Sequence, residues 1–202
     1  VVGASGVVNV GALTTRTPTS GFLDGVVSAD GAVDADAAQQ LLDGSAPQSE
    51  GVIRIDGEVN TAHGANLTGS EVLLGEDGTL RAGEAAKEVF QRTVNTEGLQ
   101  EGKGLAVVDG ELRIHAGKRA RAAGEAESTA SGGGQGGRVE VTSDGRTEIT
   151  ETADLDVSAS GSGGQGGEIQ INSSETTTAE SGASLKADGG TGGAGGFIEV
   201  SS

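Results

Sequence analysis

Gly133-Gly134-Gln135-Gly136-Gly137 recurs as Gly163-Gly164-Gln165-Gly166-Gly167 and again as Gly192-Gly193-Ala194-Gly195-Gly196, at spacings of 30 and then 29 residues. Each copy is followed by one short alternating run: Val139-Glu140-Val141, Ile169-Gln170-Ile171 and Ile198-Glu199-Val200. A fixed period of this length belongs to stacked, quasi-one-dimensional folds, in which a repeat becomes stable only against its neighbours.

Within one period the pattern predicts three short period-2 strands separated by turns. After Val139-Glu140-Val141 comes a turn at Ser143-Asp144-Gly145, then Thr147-Glu148-Ile149-Thr150, then Ala153-Asp154-Leu155-Asp156-Val157. One period later Leu185 matches Leu155 and Ala187 matches Val157. Three strands per period is the arithmetic of a parallel β-helix, a solenoid in which like residues stack about 4.8 Å apart along the axis. The twelve glycines of the three copies are expected to line one column of tight corners, where glycine permits positive φ.

Upstream the grammar continues less regularly. Ile53-Arg54-Ile55, Val72-Leu73-Leu74 and Leu112-Arg113-Ile114 read as strands with apolar residues inward, and Gly57, Asp77-Gly78 and Asp109-Gly110 as their turns. Two stretches read as short helices instead. One runs from Asp34 to Leu42, with Asp34 or Asp36 as N-cap and Ala37, Leu41 and Leu42 on one face; the other runs from Gly83 to Val94, around Ala85-Ala86-Lys87-Glu88-Val89-Phe90. The expected organisation is a single all-β unit over 1–202, with α insertions at about 34–44 and 83–110 lying outside the stack and regular glycine repeats over 132–202. At roughly 20–30 residues per coil, about seven or eight coils are expected, a rod about 35 Å long.

Composition narrows the classes. The 202 residues include 38 Gly, no Cys, Met, Trp or Tyr, and three aromatics, Phe22, Phe90 and Phe197. A narrow core of thin aliphatic layers suits that content better than a compact globule, which buries several large aromatics. The alternating apolar triplets argue against disorder. A net charge of −17 repels phosphate backbones and anionic headgroups, so neither nucleic acid nor a membrane surface is an expected partner. No run of apolar residues is long enough for a spanning helix, and no signal peptide is visible. The lack of Cys fits an exported chain that crosses an envelope unfolded. Val1-Val2-Gly3 starts inside a strand-like run without an initiator Met, as expected of a fragment or processed product.

Residues 1–22, above all Asn9-Val10-Gly11-Ala12-Leu13 followed by Thr17-Pro18, resemble the secretion-proximal region of filamentous-haemagglutinin-like exoproteins, closest to the leukotoxin-type large filamentous adhesins exported by two-partner secretion. Val89-Phe90 with Val94-Asn95, leading into Leu112-Arg113-Ile114, and the closing Gly-Gly-Gln-Gly-Gly coils resemble that family too. The resemblance implies a right-handed parallel β-helix, export by type V secretion through a dedicated outer-membrane transporter as partner, and location at the bacterial cell surface. It also implies a role in cell adhesion, virulence or biofilm formation, with a host-surface or matrix glycan or protein as a further partner. The family's Asn-Pro-x-Leu and Asn-Pro-x-Gly elements are missing here; the chain starts just after the second of them.

Candidate chemistry is sparse. His115, with Lys118, Arg119 and Arg121 in a basic turn, forms a weak anion-binding or sugar-acid candidate, against the plainer reading of a solvated turn whose cations balance nearby carboxylates. His63 and His115 without cysteines do not supply the three or four convergent ligands of a metal site, and no cofactor is expected. The Gly-Gly-x-Gly-x-Asp spacing of calcium-binding repeats lacks its Asp in Gln165-Gly166-Gly167-Glu168. Thr176-Thr177-Thr178 is a local run rather than the outward Thr ladder that ice binding requires. Parallel β-helices also carry polysaccharide-cleaving enzymes, and Glu140, Glu148, Asp154 and Asp156 are available carboxylates. The alternation of Asp154 and Asp156 with Leu155 and Val157 puts both on the solvated face, and no Trp or Tyr is present to grip sugar rings, so a non-enzymatic adhesin rod is expected. A carbohydrate-active enzyme, or the stalk of a contact-dependent toxin, is the alternative.

Overall fold

The computed structural model describes residues 1–28, 31–43, 46–47, 51–93 and 110–202. In chain order the first elements are β1 (Val7–Arg16), α1 (Ser20–Val26), α2 (Ala35–Asp43), β2 (Val52–Ile55), β3 (Glu58–Leu74), β4 (Thr79–Ala82) and α3 (Glu84–Thr93). The remainder is strand: β5 (Glu111–Ala122), β6 (Glu125–Glu127), β7 (Arg138–Ser143), β8 (Arg146–Ile149), β9 (Asp154–Asp156), β10 (Glu168–Ser173), β11 (Thr176–Ala179), β12 (Ser184–Lys186) and β13 (Phe197–Val200). The molecule is mostly β. Its strands form one 13-stranded sheet, paired in parallel, that nearly closes round an axis.

Register resolves the sheet into three stacks. The first runs through residues 12–16, 64–69 and 111–116, then β7, β10 and β13. The second runs through β2, residues 71–74 and 119–122, then β8 and β11. The third runs through residues 7–10 and 58–61, then β4, β6, β9 and β12. Each pass of the chain through the three stacks adds one layer; β7, β8 and β9 form one and β10, β11 and β12 the next. The predicted match of Leu185 with Leu155 is a register pair.

The alternation seen in the sequence puts every second side chain into the interior. In the first stack Leu112, Val139 and Ile169 form one inward column and Ile114, Val141 and Ile171 another, all essentially inaccessible. In the third stack Val59, Leu80, Ala126 and Leu155 lie directly on one another. Ile53, Ile55, Val72 and Leu74 are buried as expected. The interior also holds polar groups, and the hydroxyls at its second corner are hydrogen-bonded. Thr147 is fully buried, shares a 3.0 Å hydrogen bond with Ser143 and donates to the carbonyl of Asn172 at 2.9 Å. Thr177 stacks on Thr147 and repeats the arrangement with Ser173 at 2.9 Å. The run Thr176-Thr177-Thr178 therefore does continue a threonine column, but on the inward side.

The helices correct the expected boundaries. The interruption between β1 and β2 extends from Thr17 to Gly51 rather than 34–44, because a helix unread in the sequence, α1, precedes α2. Its start is set by Thr19, whose hydroxyl accepts from the Phe22 amide at 3.3 Å. Asp34 caps α2, its Oδ1 accepting from the amides of Asp36 and Ala37 at 3.0 Å each. The side chains of Leu42 and Phe90, and the whole of Val94, Asn95 and Asp109, lie outside the described residues. Nor do the insertions stand clear of the stack. Ala86 of α3 is fully buried, with its helix packed on β3 and β4, and Arg16 of β1 donates to the Leu41 carbonyl of α2 at 2.6 Å. With so much chain spent on interruptions, the first stack is six strands deep, not seven or eight, and spans about 24 Å at the normal strand spacing.

Candidate functional site

The expected corner role of the glycines holds at one position per copy. Gly133, Gly163 and Gly192 have φ of 85°, 78° and 76°. The other nine (Gly134, Gly136, Gly137, Gly164, Gly166, Gly167, Gly193, Gly195 and Gly196) have ordinary φ, so the corner expectation is corrected for them. The reason for most of them is close approach between layers. A Cβ on Gly137, Gly167 or Gly196 would fall inside 3.0 Å of the carbonyl oxygen of Gly110, Gly137 or Gly167 in the preceding layer. A Cβ on Gly136 or Gly166 would strike the following layer instead, at the Val157 and Ala187 carbonyls. The chain between the third and first stacks thus folds back on itself, and backbone lies against backbone with no room for side chains.

Beside this glycine column runs a cleft of about 690 Å³, flanked by Gln135, Gln165, Arg138, Glu168 and Phe197. Gln135 and Gln165 are themselves a parallel register pair. A second groove, about 620 Å³, lies between α3 and the same corner, lined by Glu84, Lys87, Glu127, Ser131, Asp156 and Ser160. Glu84 closes one end of it: its Oε2 accepts from the Ser131 amide at 2.5 Å and from the Ser131 hydroxyl at 2.7 Å. These bonds, the hydroxyl's above all, hold the Glu84 carboxyl below its ordinary value of 4.5, against partial burial and with help from Lys87. A depressed carboxylate adds stability that is present above the unfolded-chain pKa and lost as pH falls through the folded value. The α3–Ser131 contact is therefore expected to open as acid protonates Glu84, at a pH below the ordinary carboxyl value of 4.5, seen as a falling amide-exchange protection factor at Ser131. Glu84→Gln should lower that protection factor at neutral pH and make it insensitive to acid, and a pH-dependent protection factor surviving in this variant would rule Glu84 out as its source.

The basic cluster is not a turn. Arg119 and Arg121 lie within β5, with Ala120 between them and Ala122 after them both inward and buried. Alternating apolar and basic residues give a strand here, and the bend falls earlier, at the register break opposite Gly69/Glu71. Nor do the four candidates converge. His115 belongs to the first stack, its Nδ1 3.0 Å from the Thr142 hydroxyl and its Nε2 3.9 Å from Asp144. Arg119 belongs to the second and is paired with Glu148 at 2.5 Å, which also holds Arg146 at 3.3 Å. Arg121 is the register partner of Glu148, and Lys118 sits at the corner between the stacks. His63 is exposed on β3, one strand away from His115.

The carboxylates weighed for catalysis are outward-facing, and Asp154, Glu140 and Glu148 are tied to cations. Asp154 binds Lys186 at 2.8 Å, and that hydrogen bond holds the ammonium above its ordinary value of 10.5. Asp156 accepts from the Ser158 amide at 2.8 Å. Glu140 lies 3.4 Å from Arg113 and 3.7 Å from Arg138. One feature escaped the sequence reading altogether: Arg81 of β4 reaches three carboxylates, Glu58 at 2.8 Å, Glu127 at 2.8 Å and Glu125 at 3.3 Å. No spacing rule marks it, because its partners lie in the layers on either side. Among the described residues no group of three or more His, Cys, Asp or Glu is placed to hold a metal ion, and no helix is long and apolar enough to cross a membrane.

Against this geometry the comparisons are silent: the chain matches no protein-family model, no curated protein and no solved structure.

Proposed function

We propose that this chain is a right-handed parallel β-helix with three strands per coil, a rod segment of a secreted filamentous exoprotein that serves surface attachment or biofilm formation. The observation that carries the reading is the in-register stacking of buried, mostly aliphatic columns inside and charged columns outside. A body built this way is stiff along its axis and repeats its surface at each layer, which suits presentation at a distance from a cell. The resemblance of residues 1–22 to the filamentous-haemagglutinin-like exoproteins supplies the export route, an outer-membrane two-partner-secretion transporter, and a place at the cell surface. Contact with a target falls to surfaces that break the regular pattern, chiefly the exposed side of α1 and α2.

The test is a glycan and cell-surface binding screen on the folded chain, with and without calcium, beside a variant in which residues 19–50 are replaced by a short turn. Saturable binding that the variant loses, with the β circular dichroism retained, is the expected result. A well-folded chain that binds no surface component would overturn the adhesive part of the proposal. A second reading, carbohydrate cleavage, is favoured by one observation, the carboxylate- and hydroxyl-lined groove under α3. Release of reducing or unsaturated ends from acidic polysaccharides, abolished by Asp156→Asn, would establish it.

A further inference from the structure

The cleft beside the glycine column has two polar walls and a floor without side chains. One wall belongs to the outward column of the first stack, where Glu111, Arg138 and Glu168 stand in register on successive layers. The other is the pair Gln135 and Gln165, exposed, stacked on one another and free of side-chain hydrogen bonds among the described residues. The floor between them is bare backbone, since the layers approach too closely at Gly136, Gly137, Gly166 and Gly167 for a Cβ to fit. The cleft therefore runs along the axis, up the side of the body, and offers like walls from layer to layer.

This geometry restricts what can lie there. An extended peptide added to a sheet is held by main-chain hydrogen bonds. The floor has no amide to give, because those of Gly136, Gly137, Gly166 and Gly167 are spent on the carbonyls of Gln165, Ser128, Ala194 and Val157. Recognition falls to the side chains. A primary amide donates and accepts at once, as a sugar hydroxyl does. Arg138 adds a donor: one Nη holds the Gln170 side-chain oxygen at 2.6 Å, while its Nε has no partner. Charge narrows the sugar, for Arg138 stands between two carboxylates, and a wall of net negative charge repels uronic acids and sulfate esters. Spacing narrows it again. Layers about 4.8 Å apart are close in pitch to one pyranose unit of an extended chain, so neighbouring sugars meet neighbouring glutamines.

We propose that this cleft binds a neutral, linear, hydroxyl-rich glycan laid along the axis, with Gln135 and Gln165 reading hydroxyls of successive sugars and Arg138 donating from the facing wall. The assignment rests on the surface-attachment reading, to which it gives a ligand class, and it adds a second contact on the regular part of the body, away from α1 and α2.

The test titrates the folded chain with cellohexaose and with β-1,4-linked mannohexaose, and with a hyaluronan hexasaccharide as the anionic comparison, following the side-chain amide resonances of Gln135 and Gln165. Saturable shifts of both with a neutral hexasaccharide, and none with hyaluronan, are the expected result. Replacing both by leucine (Gln135→Leu with Gln165→Leu) is expected to weaken that binding about tenfold or more by calorimetry, with the β circular dichroism unchanged because both side chains are exposed. No shift with either neutral probe, a response to hyaluronan alone, or full affinity in the double variant would overturn the proposal. The attachment reading fails by a different result: neutral hexasaccharide binding that the double variant loses, in a chain that attaches to no cell surface, would sustain the cleft and remove its role in attachment. Cell attachment that survives the double variant and is lost when residues 19–50 are replaced, with no hexasaccharide bound, would overturn the cleft alone.

Discussion

Gly167→Ala is expected to destabilise the protein by about 3 kcal/mol, at the upper end of what overpacking usually costs, while Gly163→Ala in the same pentapeptide costs about 1 kcal/mol. The two glycines look alike in sequence and do opposite things. Gly163 has φ of 78° and open space round its missing side chain, so a methyl group there meets only the penalty of the left-handed region. Gly167 has ordinary φ, but its Cβ would be driven into the carbonyl groups of Gly136 and Gly137. Those are backbone atoms held by hydrogen bonds, among them the Gly136 amide to the Gln165 carbonyl at 2.9 Å, and they cannot swing away as a side chain could. Relief therefore requires two layers to separate locally, which exposes Ile169 and Val139 beside them. Chemical denaturation of both variants decides the matter. Equal losses would mean that conformational freedom, not close approach, is what these positions need.

Arg81→Gln is expected to cost about 2 kcal/mol at low ionic strength, and roughly half of that in molar salt. A surface pair removed singly is worth less than this. Arg81, however, is 23 % exposed and serves three carboxylates at once, Glu58, Glu125 and Glu127. Its loss leaves Glu125 stacked on Asp154 and Glu127 on Asp156, with Lys186 of the next strand paired to Asp154. Strand register keeps these like charges about 4.8 Å apart along the axis, so they cannot relax by moving away. Lowering the pH should shrink the deficit, because protonated carboxyls no longer repel, and a loss that stays constant across acid and salt would assign the effect to lost packing of the Arg81 stem.

How far the sequence spoke depended on whether an interaction repeats. The three strands of each glycine repeat, the inward sets around Leu155, Ile169 and Ile171, and the outward placing of Asp154 and Asp156 were all legible from period-2 alternation, since each layer copies the one before. The caps of α2 and the existence of α3 were legible because capping and helical periodicity are local. What stayed hidden was whatever joins unlike layers. Arg81 meets Glu125 and Glu127 across the whole of the 83–110 interruption, and Glu84 finds Ser131 over a similar gap. The basic residues of β5 were misread as a turn because Gly117-Lys118 looks like punctuation and Ala120 and Ala122 are weak strand formers. They are in strand with their alanines inward, Ala122 between Leu74 and Ile149 and Ala120 between Val72 and Thr147. α1 was missed because two glycines, Gly21 and Gly25, dilute its helical pattern, leaving Thr19 as its one clear mark.

Among the described residues from β2 onward, the chain rounds two of its three corners in short turns such as Asp144-Gly145 and 150–153, and sends its glycine loops over the third. That makes this one edge a keel. Length can be added at the exposed loop tips, such as 160–163, without disturbing the walls of the body, since the side chains buried along this edge, among them Val157 and Ala187, sit at the loop bases. Whatever is spliced into successive loops thus stands in single file down one side, displayed at the pitch of the strands beneath it.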